Sequence, residues 1–467
     1  MAPPSTTVDT IELASLEQNA DLEHHHHNDR SLRRHSRSAS SSSFIHFRAP
    51  IPSNNTTAPH NVAPSSDINS ATRLAAEALP SLLMSVIGLV AAGWMMDIFQ
   101  HWEVFEQVSE LFILVPVLLN LKGNLEMNLA ARVSTSANMG ELDRPGTRSP
   151  LVWGNLALIQ VQALIAGSIA GLFSFILGIL EHPQEPATVS ESILIITSSM
   201  ISAAISSLVL GVFMCFLIIL SRKFRIDPDN IACPMASSLG DVVTLGILAG
   251  CAQALLANMD SLLSPSLFML MIMSIPCFGR AVWKNATVKD LLYSGWSPII
   301  SAMFISSFAG LVLERYVEQY KGLAMLTPIL CGLAGNLGSI YASRISTCLH
   351  AGSQENYKLV EQTLLAMNIP MQALFLLLIW VLNLGHLDFT AMFALSYFIV
   401  SMISTFLALK MGKSMTLACW KRGYDPDNYV LPYLTALIDV ICTSLLVISF
   451  SWLSSNGYAD LATSHNT

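Results

Sequence analysis

The sequence predicts an all-α polytopic membrane protein: two parallel five-helix repeats joined by a linker transmembrane helix, eleven spans about a pseudo-two-fold axis along the membrane normal. Three observations carry this expectation. Of 467 residues, 52% are hydrophobic and 12% charged, with a mean hydropathy of +0.53; a soluble fold would have too little polar surface to cover itself. Apolar stretches long enough to cross a bilayer recur along the chain. Finally, one polar-studded segment occurs twice, as PVLLNLKGNLEMNLAARVSTSANMG from Pro116 and as PILCGLAGNLGSIYASRISTCLHAG from Pro328.

At an offset of 212, eleven of those twenty-five positions are identical, including Gly123-Asn124-Leu125 against Gly335-Asn336-Leu337 and Arg132 against Arg344. Gln160 falls opposite Gln372 in the same register. A second pair, DPDNIACPMASSLGDV and DPDNYVLPYLTALIDV, matches at offset 198 and places Asp241 opposite Asp439. Shared apolar composition does not align such polar residues, so the chain reads as two copies of one unit, with function where the copies meet.

The first seventy or so residues are rich in Ser, Asn, Pro and His and contain no run fit to bury. They read as a disordered tail. Arg33-Arg34-His35-Ser36 has the basic approach to a serine that many kinases read, which makes Ser36 a candidate phosphorylation site and a kinase a candidate partner. An unregulated solvated tail is the plainer alternative. His24 to His27 read as a low-complexity run rather than a metal site. Eight scattered cysteines without a CxxC imply neither a zinc site nor a disulfide framework.

The expected spans are 78–99, 109–131, 153–178, 192–221 and 234–257 in the first copy, 264–283 between the copies, and 295–317, 323–345, 361–384, 390–411 and 430–453 in the second. Basic residues test this count. With the tail inside, the inner loops hold Arg144 and Arg148, Arg222, Lys223 and Arg225, Arg280, Lys284 and Lys289, Lys358, then Lys410, Lys413, Lys421 and Arg422; the outer loops hold Arg315 and Lys321. That is the positive-inside pattern. A five-span unit ends on the opposite side from its start, and the extra crossing lets the second copy insert in the first one's orientation.

The division that follows is a cytoplasmic tail over 1–75, a first repeat over 76–258, a linker helix and cytoplasmic loop over 259–293, a second repeat over 294–455 and a short extracellular tail over 456–467. The tail shows neither a signal peptide nor an amphipathic mitochondrial leader, which favours the plasma membrane.

Asp241 and Asp439 each lie seven residues after a proline that opens the fifth helix of their copy, roughly 10 Å into the membrane from the cytoplasmic side. A carboxylate in lipid is costly and by default marks an ion path. Two of them approaching one axis would select a multivalent cation and repel an anion. The competing reading is a packing aspartate bonded to Thr244 or Thr443.

Gly123, Asn124, Gly335 and Asn336 are candidates for the opposite wall, with Thr244, Gln160 and Gln372 as further pore-lining candidates. Pro116, Pro328 and the nearby glycines are expected to loosen the helices and free carbonyl oxygens. Such hard neutral oxygens suit magnesium or calcium. Lys122 and Glu126 break the symmetry, their counterparts being Ala334 and Gly338. They either neutralise each other one turn apart or bring Glu126 into the cation site. Asp227, Asp229, Asp425 and Asp427 in the DPDN turns read first as helix-start residues and second as an inner sensor of divalent ions.

With these motifs in hand, the chain resembles the MgtE-like magnesium transporters of the eukaryotic solute-carrier family 41 over roughly residues 75–455, most specifically through GNLEMNLAARVSTSANMGELD and DPDNIACPMASSLGDVVTLGILA. The resemblance implies a cation pore with the fifth-helix aspartates, here Asp241 and Asp439, at the metal site, and magnesium as transported ion rather than cofactor. It leaves open a channel, a sodium-coupled efflux exchanger, or a broad transporter that also takes manganese, cobalt or nickel. The cytosolic gating domains of bacterial relatives have no counterpart here. No HExxH, Gly-x-Ser-x-Gly or phosphate-cradling loop supports an intramembrane enzyme. A non-transporting scaffold gives no reason for twin carboxylates in lipid, and nothing points to a nucleic-acid partner.

Overall fold

Buried backbone in lipid must satisfy its own hydrogen bonds, and an all-apolar chain does so by coiling. The computed structural model describes residues 67–138, 141–181, 188–223, 229–259, 261–293, 296–351, 356–382, 384, 389–424 and 426–457. Within them the first copy forms α1 (Asp67–Phe99), the short α2 (Glu103–Gln107), α3 (Glu110–Asn138), α4 (Pro145–Glu181), α5 (Val189–Lys223) and α6 (Asp229–Leu256). Then come α7 (Leu263–Trp283), followed by α8 (Trp296–Val317), α9 (Leu323–Ala351), α10 (Tyr357–Leu382), α11 (Ala391–Lys421) and α12 (Pro426–Ser455). Ser36, Asp227 and Asp425 lie outside the described residues, as do the side chains of Asp229 and Asp427.

Among the described residues, ten helices are long and apolar enough to cross a membrane. The chain is a polytopic all-α membrane protein. The remaining long helix, α3, is absent from that set. It carries Glu110, Lys122, Glu126 and Arg132, but most of its length is buried among its neighbours, so these polar groups face protein. Each of the eleven expected stretches falls on a long helix, and most of these helices run beyond their stretch at one end or both. At 37 residues α4 is about 55 Å long, well beyond the ~30 Å hydrocarbon core.

Burial ranks the helices by position. In the most apolar window of α9, 83% of residues are buried, against 6% for α7. The former is the centre of the bundle, and the latter lies on its outside, touching α4 and α5.

The same neighbours recur in the two copies. α1 packs on α6 as α8 packs on α12; α5 packs on α6 as α11 does on α12. Across the copies, α3 packs on α8 and α9 on α1. Glycines mark these crossings. A Cβ on Gly93 would strike the carbonyl of Met325, and one on Gly310 the carbonyl of Ile113. Ile113 and Met325 are themselves 212 apart, so the two close approaches are equivalent contacts. Bare backbone lets the helices meet at that distance.

One expectation is corrected. Pro116 lies within continuous α3, and Pro328 within continuous α9. Gly123, Gly332, Gly335 and Gly338 are likewise helical. The carbonyls stay in the helical ladder because each one released into an apolar interior would need a new partner.

Candidate functional site

α3, α6, α9 and α12 converge on a partly open cavity of about 110 Å³, room for several water molecules. From α3 it is lined by Pro116, Asn120, Lys122, Gly123 and Asn124; from α9 by Pro328, Gly332, Gly335 and Asn336. Asp241 enters from α6, and Thr435, Asp439 and Thr443 from α12. Both aspartates therefore border one space, together with both Gly-Asn pairs. A Cβ on Gly123 would meet nothing within 4 Å, and one on Gly335 only the edge of Thr435 at 3.9 Å. These two glycines widen the cavity rather than permit helix contact.

Each aspartate has a different set of partners. Asp439 Oδ2 accepts from the amide of Asn120 at 3.4 Å and from the hydroxyl of Ser306 at 3.4 Å. Asn120 also donates to Thr435 Oγ1 at 3.1 Å and accepts from Asn124 Nδ2 at 2.8 Å. The first copy thus reaches through Asn120 to the second copy's carboxylate. Asp241 Oδ1 instead accepts from Lys122 Nζ at 3.2 Å. Lys122 Nζ also stands 3.8 Å from Glu126 Oε2.

The hydroxyl that meets an aspartate carboxylate is that of Ser306, not the expected Thr244 or Thr443. Thr443 Oγ1 donates to the backbone carbonyl of Asp439 at 2.8 Å, one turn back, and not to its carboxylate. Thr244 is buried, does not line the cavity, and its hydroxyl has no partner among the described residues. Gln160 donates to the carbonyl of Ala204 at 3.2 Å, and Gln372 to Asn368 Oδ1 at 3.4 Å. Gln160 thereby joins α4 to α5, whereas Gln372 bonds one turn back within α10; neither lines the cavity, nor does Glu126. Asn336 lines the cavity and donates to Ser85 Oγ on α1 at 2.6 Å. At the N-terminus of α12, Pro426 is the first helical residue, where its missing N–H costs nothing.

Sequence reasoning did not find Asn120, Ser306 or Thr435, nor the Lys122–Asp241 pair. Asn120 carried a signal in hindsight: it replaces Gly332 of the second copy, a polar residue where the repeat needs none. The ion pair joins residues 119 apart, beyond what helical spacing reveals.

Comparison with known proteins agrees with this duplicated architecture. The divalent cation transporter family MgtE matches residues 115–251 and again 327–449, one match per copy. Mouse solute carrier family 41 member 2 is 40% identical over 406 residues, 81% of this chain and 70% of the relative. Rat solute carrier family 41 member 3 is 38% identical over 434 residues, 87% and 92% of the two chains. The crystal structure of a eukaryotic MATE transporter, AtDTX14, aligns with 84% of this chain and 99% of its own at 12% identity and a TM-score of 0.30, too distant to inform the fold. Two MgtE matches in tandem and close identity over most of the length place the chain in the MgtE divalent cation transporter family, as a member of solute-carrier family 41.

Proposed function

We propose that the chain moves divalent cations, chiefly magnesium, across the membrane through the space between its two repeats, with Asp241 and Asp439 as the ion's carboxylate partners. The observation that carries this reading is that one carboxylate from each repeat borders one cavity, 198 residues apart in sequence and at matching positions. The wall opposite is built of amide oxygens and small residues, donors suited to a hard cation that keeps part of its water shell.

Eleven spans follow on this reading, with α3 counted as a crossing despite its charges. The repeats are parallel and related by a two-fold axis through the cavity, and the recurring helix pairs support that. The tail is cytoplasmic and the chain's end extracellular, as the basic loops require. Asp227, Asp229, Asp425 and Asp427 cap or sense at the inner face, and Ser36 is the proposed site for a kinase. The plasma membrane is the proposed location.

The test is magnesium flux into vesicles holding the purified full chain, with and without a sodium gradient. Flux that saturates with magnesium and persists without sodium is expected of a pore. Flux that stops when sodium is withdrawn would make the same site part of an exchanger. No divalent flux under either condition would sink the reading.

A further inference from the structure

Among the differences between the copies, three matched positions cluster around Asp241. Where the first copy has Lys122, Glu126 and Gly240, the second has Ala334, Gly338 and Ile438. The differences are coupled by volume. A Cβ on Gly240 would overlap Lys122 Nζ and Cε and come within 3.2 Å of Glu126 Oε2. Gly240 is thus the gap through which the lysine reaches the aspartate, and in the other copy the matched positions hold Ile438 and Ala334, both buried.

The lysine is 2% exposed and Glu126 fully buried. Neither oxygen of Glu126 accepts a hydrogen bond among the described residues. Charged groups this deep are not required for packing, since the second repeat builds the same helix contacts from alanine, glycine and isoleucine. Asp439, by contrast, meets neutral donors, Asn120 and Ser306.

We propose that Lys122 is a tethered cation that competes with the transported ion for Asp241, and that Glu126 is the acceptor it turns to when the ion arrives. Its ammonium lies between the two carboxylates, 3.2 Å from Asp241 and 3.8 Å from Glu126, so leaving one for the other takes a side-chain rotation within one helical turn. Asp241 lines the cavity and Glu126 does not; the exchange clears the path without leaving the ammonium unpaired. Between ions the lysine holds Asp241's charge neutral, which weakens ion binding and permits release. The proposal rests on the transport reading and names a specificity-determining residue within it.

Two variants of the full chain test it, each assayed for the magnesium dependence of flux in vesicles and for thermal unfolding. The triple change Lys122→Ala, Glu126→Gly and Gly240→Ile copies the second repeat and leaves net charge unaltered. It should lower the half-saturating magnesium concentration by about tenfold and slow maximal flux, because the ion no longer meets a competitor. Glu126→Gln removes the alternative acceptor, confines the lysine to Asp241, and should raise that concentration by about as much.

Opposite shifts in the two variants support the tethered cation. Half-saturation within about twofold of wild type in Glu126→Gln overturns it, whether or not the triple variant folds. A purely structural role would move the unfolding temperature and leave half-saturation alone. Wild-type vesicles that pass no divalent cation would instead bring down the transport reading itself.

Discussion

Asp439→Asn should reduce magnesium flux by about 100-fold or more while the protein remains folded. The substitution keeps the side chain's size and its place beside Asn120 and Ser306, but an amide presents one acceptor oxygen and no charge. Supporting residues around a metal typically cost about 10 to 100-fold when removed, and a group that meets the ion directly should cost at least that. Among the described residues Asp439 is also the carboxylate that meets only neutral donors, Asn120 and Ser306, so no fixed cation competes with the ion for it. Flux assays on reconstituted protein, with unfolding temperature as the folding control, decide this. Flux within about threefold of wild type, far short of the expected loss, would make Asp439 structural.

Lys122→Met should give the second large effect, on stability. It leaves Asp241 and Glu126 buried side by side without their shared cation. Removing one partner from a buried ion pair typically costs about 3–5 kcal/mol, and here two carboxylates lose it. A divalent ion supplied to the cavity would restore the missing charge. The variant should therefore unfold at a much lower temperature than wild type in chelator and recover much of the difference in millimolar magnesium. Equal destabilisation with and without magnesium would mean that no ion reaches Asp241.

How much of this was legible in the sequence depended on duplication. Asp241 and Asp439 stood out because a polar residue repeated at a fixed offset resists an accidental explanation, and the Gly-Asn pairs were readable for the same reason. Both groups do border the cavity. The helices, α3 over 109–131 included, were readable as apolar stretches.

What was not legible broke the symmetry or depended on packing. Asn120 and Lys122 have no polar counterpart, and their partners sit on helices far away in the chain. Lys122 next to Glu126 invites a local pairing, yet the shorter contact is to Asp241 across the bundle. The expectation of loosened helices at Pro116 and Pro328 failed because a bundle in lipid keeps its backbone paired where it can. Gln160, Gln372 and Thr244 matched in register or neighbourhood but are buried away from the cavity, Gln160 bonding α5 and Gln372 its own helix. Repetition marks what both copies share, and here both copies share packing groups as well as the site.

Equilibrium binding of manganese, a spectroscopic stand-in for magnesium, to the full chain in lipid nanodiscs distinguishes one site shared by both repeats from two separate ones. If the two repeats build one site, each chain binds one ion in the bundle interior, and either Asp241→Asn or Asp439→Asn weakens that ion's binding. Two ions per chain, each lost independently with one aspartate, or binding that survives both substitutions, would contradict a shared site.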